Sequence, residues 1–199
     1  MLPKLEGTIH VNMALVVKFM KNFLFAPAQY ADIPKCTDTA DDTFLFDQGP
    51  TRGLAKIQFH DYRLAYDPVN SPNVSLFKEQ IEAFRRLLLD AGPNEAQAKD
   101  IDYLLTLGEC FSLIVYGQLI LENAPHFNVE DALLEQIFEF MLRDMSGFAL
   151  DIFGKTSSSA EQKRLALEII RAPVSDPVRF DGIWREHVFA LQGKYATGV

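Results

Sequence analysis

The sequence predicts an all-α fold, an antiparallel helical bundle whose N-terminal helix is either exposed or re-docked on the rest of the chain. Three observations carry this. Apolar residues recur three and four apart over long runs, the period of an amphipathic helix. No stretch alternates apolar and polar residues long enough to suggest a sheet. The long runs end at Gly and Pro punctuation and are joined by short connections, which favours antiparallel neighbours.

Thr8 is placed to cap a first helix running to about Phe25. Ile9, Met13, Val16, Val17, Met20 and Leu24 form one face. Val11, Leu15 and Phe19 form another, leaving Lys18, Lys21 and Asn22 as the polar strip. A helix apolar on so much of its circumference has to be covered on several sides. It must pair with a second copy or re-dock on the segment from Asn73 to Leu191. Ala26 to Asp38 reads as a loop, Asp41 to Phe46 as a short helix, and Gln48-Gly49-Pro50-Thr51-Arg52-Gly53 as a turn cluster. Leu54 to Tyr66 reads as irregular or helical.

Asp67-Pro68-Val69-Asn70-Ser71-Pro72-Asn73 breaks the chain and marks a boundary between 1–66 and 67–199. A helix starting at Asn73 or Ser75 runs to Ala91 and stops at Gly92-Pro93. The next opens at Pro93 or Asn94 and ends near Asn123, before Pro125. Asn128 is expected to cap the following helix, with Glu130 and Asp131 near its positive end, and Gly154 ends it. Ser158 with Glu161 fits a capping box for a helix ending before Pro173. Asp176 as cap and Pro177 in the first turn start a last helix through Leu191. The tail from Gly193 is expected to fray.

The chain has 199 residues, 48% hydrophobic and 23% charged, the mix of a soluble globular protein. A net charge of −8 argues against free nucleic acid as a partner, because phosphate binding needs clustered Lys and Arg. No basic amphipathic stretch suggests a membrane surface. Leu104 to Leu121 is the most span-like run, but Glu109, Gln118, Ser112 and two glycines interrupt it and basic flanks are missing. It reads as a buried core helix. Cys36 and Cys110 form no metal-spaced pair and suggest free buried thiols in a reducing compartment. With no signal peptide visible after Met1, a cytoplasmic location is expected.

Several further residues have side chains that could form sites. Arg52, in a Gly-containing turn, could hold a phosphate or carboxylate, though a structural or solvated role is the simpler reading. His60-Asp61 resembles an oriented pair, but adjacent side chains rarely face each other. Asp41, Asp42 and Asp47 lack the spacing of a calcium loop. His126 and His187 have no ligand partners at useful spacing, so no metal is expected. Gly108, Ser112 and Gly117 line up for close helix contact. Sixteen Phe exceed what a small bundle needs, which hints at an interface between copies.

The motif that points to chemistry is Lys4-Leu5-Glu6-Gly7-Thr8, immediately before the first helix. On position alone, Glu6 either favours the helix dipole or acts as a general base raised by apolar neighbours such as Leu5 and Ile9. The motif resembles the catalytic segment of acyl-CoA dehydrogenases, where an aromatic residue, Glu, Gly and Thr precede the last helix of a C-terminal four-helix domain. This chain has Leu5 where the family usually has Tyr, and Ile9-His10-Val11-Asn12 where it usually has Asn-Glu-Ile-Gln. The wider run from Leu5 through Asn12, with Asp42 to Gly53 downstream, is similar to a bacterial subgroup carrying a long helical extension.

That resemblance implies a concrete assignment. Glu6 is the base that removes the α-proton of an acyl-CoA thioester while the β-hydrogen leaves as hydride to FAD. Gly7 lets the chain pass close to substrate, Thr8 faces the flavin, and His10 occupies a place that contacts FAD in relatives. Residues 1–66 then end the dehydrogenase-like domain and 67–199 form the extension. The implied electron acceptor is an electron-transfer flavoprotein. The domains that supply most of the acyl pocket and flavin site precede this motif in the family, so the chain alone is not expected to turn over substrate, and acyl chain length is not legible. The alternative is a non-enzymatic helical scaffold for oligomerisation or partner binding.

Overall fold

In a computed structural model, residues 17–27 and 59–194 are described, and they contain helices and turns without a strand. The helices are α1 (the described residues 17–25), α2 (Arg63–Tyr66), α3 (Pro72–Asp90), α4 (Ile101–Asn123), α5 (Asp131–Gly154), α6 (Ala160–Leu167) and α7 (Pro177–Ile183). A π-helical turn, Trp184–Val188, and a 3-10 turn, Phe189–Leu191, continue α7.

The periodicity explains the packing. On α5, Leu134, Phe138, Met141, Met145, Ala149 and Ile152 are buried, a stripe of three- and four-residue steps. On α3 the stripe is Val74, Phe77, Ile81, Phe84 and Leu87, and on α4 it includes Tyr103, Leu107, Cys110, Phe111 and Ile114. These join in one core, with α5 in contact with α3, α4, α6 and α7.

The side-chain pairs give the directions. Asn73 meets Glu135 while Gln80 meets Leu142 and Ser146, so α3 runs parallel to α5. Asp102 meets Lys155 at one end, and Gly117 lies by Met141 further along, so α4 is antiparallel to α5. Gln162 bonds Ala91 while Glu168 bonds Arg86, so α6 is antiparallel to α3. The arrangement is up-and-down, with α5 at its centre.

The described end of the first helix is re-docked. Met20, Phe23 and Leu24 are buried, whereas Lys18 and Lys21 are exposed. The Phe23 ring stacks on Tyr62 at 5.4 Å and meets Phe111 of α4 edge-on at 5.2 Å. The guanidinium of Arg85 on α3 lies over the Phe25 ring at 5.2 Å.

Several helix starts differ from expectation, each for a local reason. α3 starts at Pro72 rather than at Asn73 or Ser75, because proline suits the first helical position. The Asn73 amide is diverted to the Val174 carbonyl, 3.0 Å away. α4 starts at Ile101, not at Asn94. Asn94 and Gln97 satisfy each other's backbone N–H groups in a closed turn, and Asp100 then caps the helix by accepting from Asp102 and Tyr103.

The cap of α5 is Glu130, not Asn128, which adopts φ 51°, a left-handed conformation that Asn tolerates. The capping box of α6 is Ser159 with Gln162, one residue later than expected. Ser158 instead donates its hydroxyl to the Ile152 carbonyl at 2.7 Å, and Glu161 pairs with Arg164 on the surface. α6 ends at Leu167, well before Pro173. Asp176 and Pro177 open α7 as expected.

α4 is long and apolar enough to cross a bilayer by length and composition alone. Its face carrying Leu107, Ile114 and Leu121 is packed into the core, while Tyr116 and Leu119 point outward.

Candidate functional site

An aromatic cluster joins α1, the strand-free segment before α2, and α4. Phe59 meets Phe19 at 5.9 Å and Phe23 at 5.5 Å, both edge-on. Phe23 leads on to Tyr62, and Tyr62 to Tyr66, Phe77 and Phe138 in the core. Such aromatic pairs add to the area they bury, about 0.5–1.5 kcal/mol each. The outer end of this chain of rings forms one side of a groove of about 570 Å³. The groove continues along the outward face of α4, past Phe111, Val115, Tyr116 and Leu119.

Its polar groups are few. His60, Ser112, Gln118 and Glu122 reach it, and the Gln118 amide donates to the Glu122 carboxylate at 2.8 Å. This can hold an apolar body and orient it by one amide and one carboxylate. No Lys or Arg lines it among the described residues. A flavin dinucleotide needs donors for its pyrophosphate, so the groove's described lining does not fit FAD.

Next to the groove, burial removes Tyr62 and Tyr66 from proton chemistry at neutral pH. Desolvation pushes the Tyr62 phenol up to about 12 and the Tyr66 phenol higher still. The Tyr66 hydroxyl donates to the Ile114 carbonyl at 2.7 Å and sits directly over Gly117. Cys110 is a free, fully buried thiol, and desolvation raises its pKa. It is inert by the same logic.

A second polar site lies where α7 crosses α5. The Arg179 guanidinium bonds Glu139 at 2.6 Å and lies 3.8 Å from Glu135. The Glu135 carboxylate also accepts from the Asn73 backbone N–H at 3.2 Å, and Glu139 accepts from the Ser175 hydroxyl at 2.9 Å. Side-chain exposures of 12%, 11% and 10% for Arg179, Glu135 and Glu139 make this a buried ion cluster. Both carboxylates are occupied by donors, so the cluster serves as a latch rather than as an acid–base pair.

The residues that sequence reasoning assigned to catalysis and cofactor contact, Glu6, Gly7, Thr8 and His10, lie outside the described residues, as do Cys36, Asp41, Asp42, Asp47 and Arg52. His60 reaches the groove, and Asp61 pairs with Arg63 at 2.9 Å. Gly117 makes the close contact expected of a small residue, although its neighbour is Tyr66 rather than a helix backbone. The structure also gathers Glu130, Glu186 and His187, with all three ligand atoms within 4.8 Å of one another. Sequence spacing hid this, since Glu130 sits at a helix start far upstream of the Glu186-His187 pair.

Fold and groove together define an all-α protein with an aromatic surface cleft. No protein-family model, curated protein or solved structure matches the chain.

Proposed function

We propose that this chain is the C-terminal helical portion of an FAD-dependent acyl-CoA dehydrogenase, with residues 67–199 as a helical extension. The observation that carries the reading is the sequence Leu5-Glu6-Gly7-Thr8 and its resemblance to the family's catalytic segment; downstream, the described residues 17–25 are helical and docked in the bundle. Glu6 takes the α-proton of the acyl thioester. That proton is very weakly acidic, so the base must be held away from water and the enolate oxygen must receive hydrogen bonds. Gly7 gives the backbone room to approach substrate. Thr8 and His10 face the flavin, and an electron-transfer flavoprotein accepts the electrons. The acyl pocket and most of the flavin site come from other segments of the enzyme, which acts in the cytoplasm as a homo-oligomer.

The test is Glu6→Gln in the assembled enzyme. Acyl-CoA-dependent reduction of an acceptor is expected to fall by several orders of magnitude, and retained activity overturns the assignment. A visible absorption spectrum of the purified chain titrated with FAD reports separately whether this portion holds flavin.

A second reading, a partner-binding or oligomerisation scaffold, is favoured by the apolar surface around α7. Val178, Phe180, Trp184, Phe189 and Leu191 are all exposed there. A chain that remains monomeric by light scattering at high concentration counts against it.

A further inference from the structure

We infer that Glu130, Glu186 and His187 form a binding site for a first-row divalent cation, with Zn²⁺ as its natural probe. The three come from two elements, the start of α5 and the turn that continues α7. Glu130 is the cap residue of α5, held there because its carbonyl accepts from the N–H groups of Leu133 and Leu134 at 3.0 and 3.1 Å. Its carboxylate makes no cap hydrogen bond and is available to a ligand. Glu186 and His187 sit side by side on the π-helical turn Trp184–Val188, a local winding that recurs at functional positions.

The donor chemistry is specific. One imidazole and two carboxylates, with no thiolate, suit Zn²⁺ and its divalent neighbours rather than soft Cu(I). The ligand atoms lie within 4.8 Å of one another. A tetrahedral ion with ligand bonds of about 2.1 Å would bring them to roughly 3.4 Å apart. All three residues are exposed, so side-chain rotation can close that gap without moving backbone. Among the described residues, none of the three side chains forms an ion pair or hydrogen bond that already occupies it. Among the described residues no Lys or Arg pairs with Glu130 or Glu186, so the two carboxylates repel each other, in a chain that already carries −8. A bound cation reverses the sign of that interaction and ties the C-terminal turn to the start of α5. Three protein ligands leave the fourth position to water.

The position of the chain's single tryptophan makes the test specific. Trp184 opens the same π turn, stacked on Phe180 at 6.1 Å and edge-on to Phe189 at 5.8 Å. The full chain is titrated with Zn²⁺ at neutral pH, followed by tryptophan fluorescence and by calorimetry. One equivalent is expected to bind with micromolar affinity and a saturable fluorescence change. His187→Ala and Glu130→Gln are each expected to weaken binding at least tenfold. Because both residues are exposed, the variants should keep the parent's circular dichroism, which is checked first. Absence of saturable binding at millimolar Zn²⁺ overturns the site, and so does parental affinity in both variants.

Discussion

Two single residues show how closely this core is set. Gly117 has no side chain to spare: a Cβ there would lie 2.2 Å from the Tyr66 hydroxyl. That hydroxyl is buried and bonded to the Ile114 carbonyl. Gly117→Ala must therefore displace a filled aromatic site or strip its hydrogen bond, and a loss of roughly 2–4 kcal/mol is expected from urea unfolding. An unchanged midpoint would show that Tyr66 has somewhere else to go. Glu109 is the opposite case, a residue held against its preference. Desolvation and then the nearby Asp151 raise its pKa above the ordinary carboxylate value. The folded state thus binds this proton more tightly than the unfolded chain does. Its contribution is complete below the unfolded pKa and is lost as pH rises through the folded one. Glu109→Gln is expected to raise the melting temperature at pH 7 by a small margin, with the gain disappearing near pH 4.

Helix ends and connections carry a different lesson. Ser158 and Ser159 both satisfy the capping pattern read in sequence, because Glu161 and Gln162 are both acceptable partners three residues on. Packing separates them: Gln162 is buried and also reaches Gln97 and the Ala91 carbonyl, while Glu161 faces solvent. Ser159→Ala is expected to cost about 1 kcal/mol through loss of the cap. Asp176-Pro177 was legible because its cap needs no distant partner. The Arg179 latch was not, since Glu135 and Glu139 lie some forty residues away and read as solvated acids on a helix. Arg179→Ala would leave Glu135 buried without its cation and Glu139 with only Arg143, 3.9 Å away. The bundle can escape that cost by letting α7 detach, so the effect should be local. Limited proteolysis within 176–194 is expected to speed up by tenfold or more, while the main melting transition moves little. A large fall in the main transition, with no change in cleavage, would mean that α7 is integral to the core.

At the scale of the molecule, the fold class was readable because long amphipathic periods and short connections are local properties. The groove was not, because it is assembled from α1, the segment before α2 and α4, which no spacing rule connects. The Glu6 motif was legible as a resemblance only. The burial of Met20, Phe23 and Leu24 has a direct consequence for dynamics. Backbone amides from Met20 to Phe25 are expected to exchange slowly with solvent in a monomer, by two orders of magnitude or more relative to the unprotected chain. Unprotected rates there would show that this helix is not held on its own bundle in the monomer.

The parallel pairing of α3 with α5 also governs how the chain comes into being. Asn73 and Glu135 are separated by 62 positions, and α3 has its main partners in α5 and α6. During synthesis, Phe77, Ile81, Phe84 and Leu87 leave the ribosome well before their partners on α5 and α6 exist to cover them. For several seconds, at about 5–20 residues per second, the nascent chain displays a sticky amphipathic helix. Its fate in the cell then turns on what meets that helix first, a chaperone, a neighbouring nascent chain or its own α5.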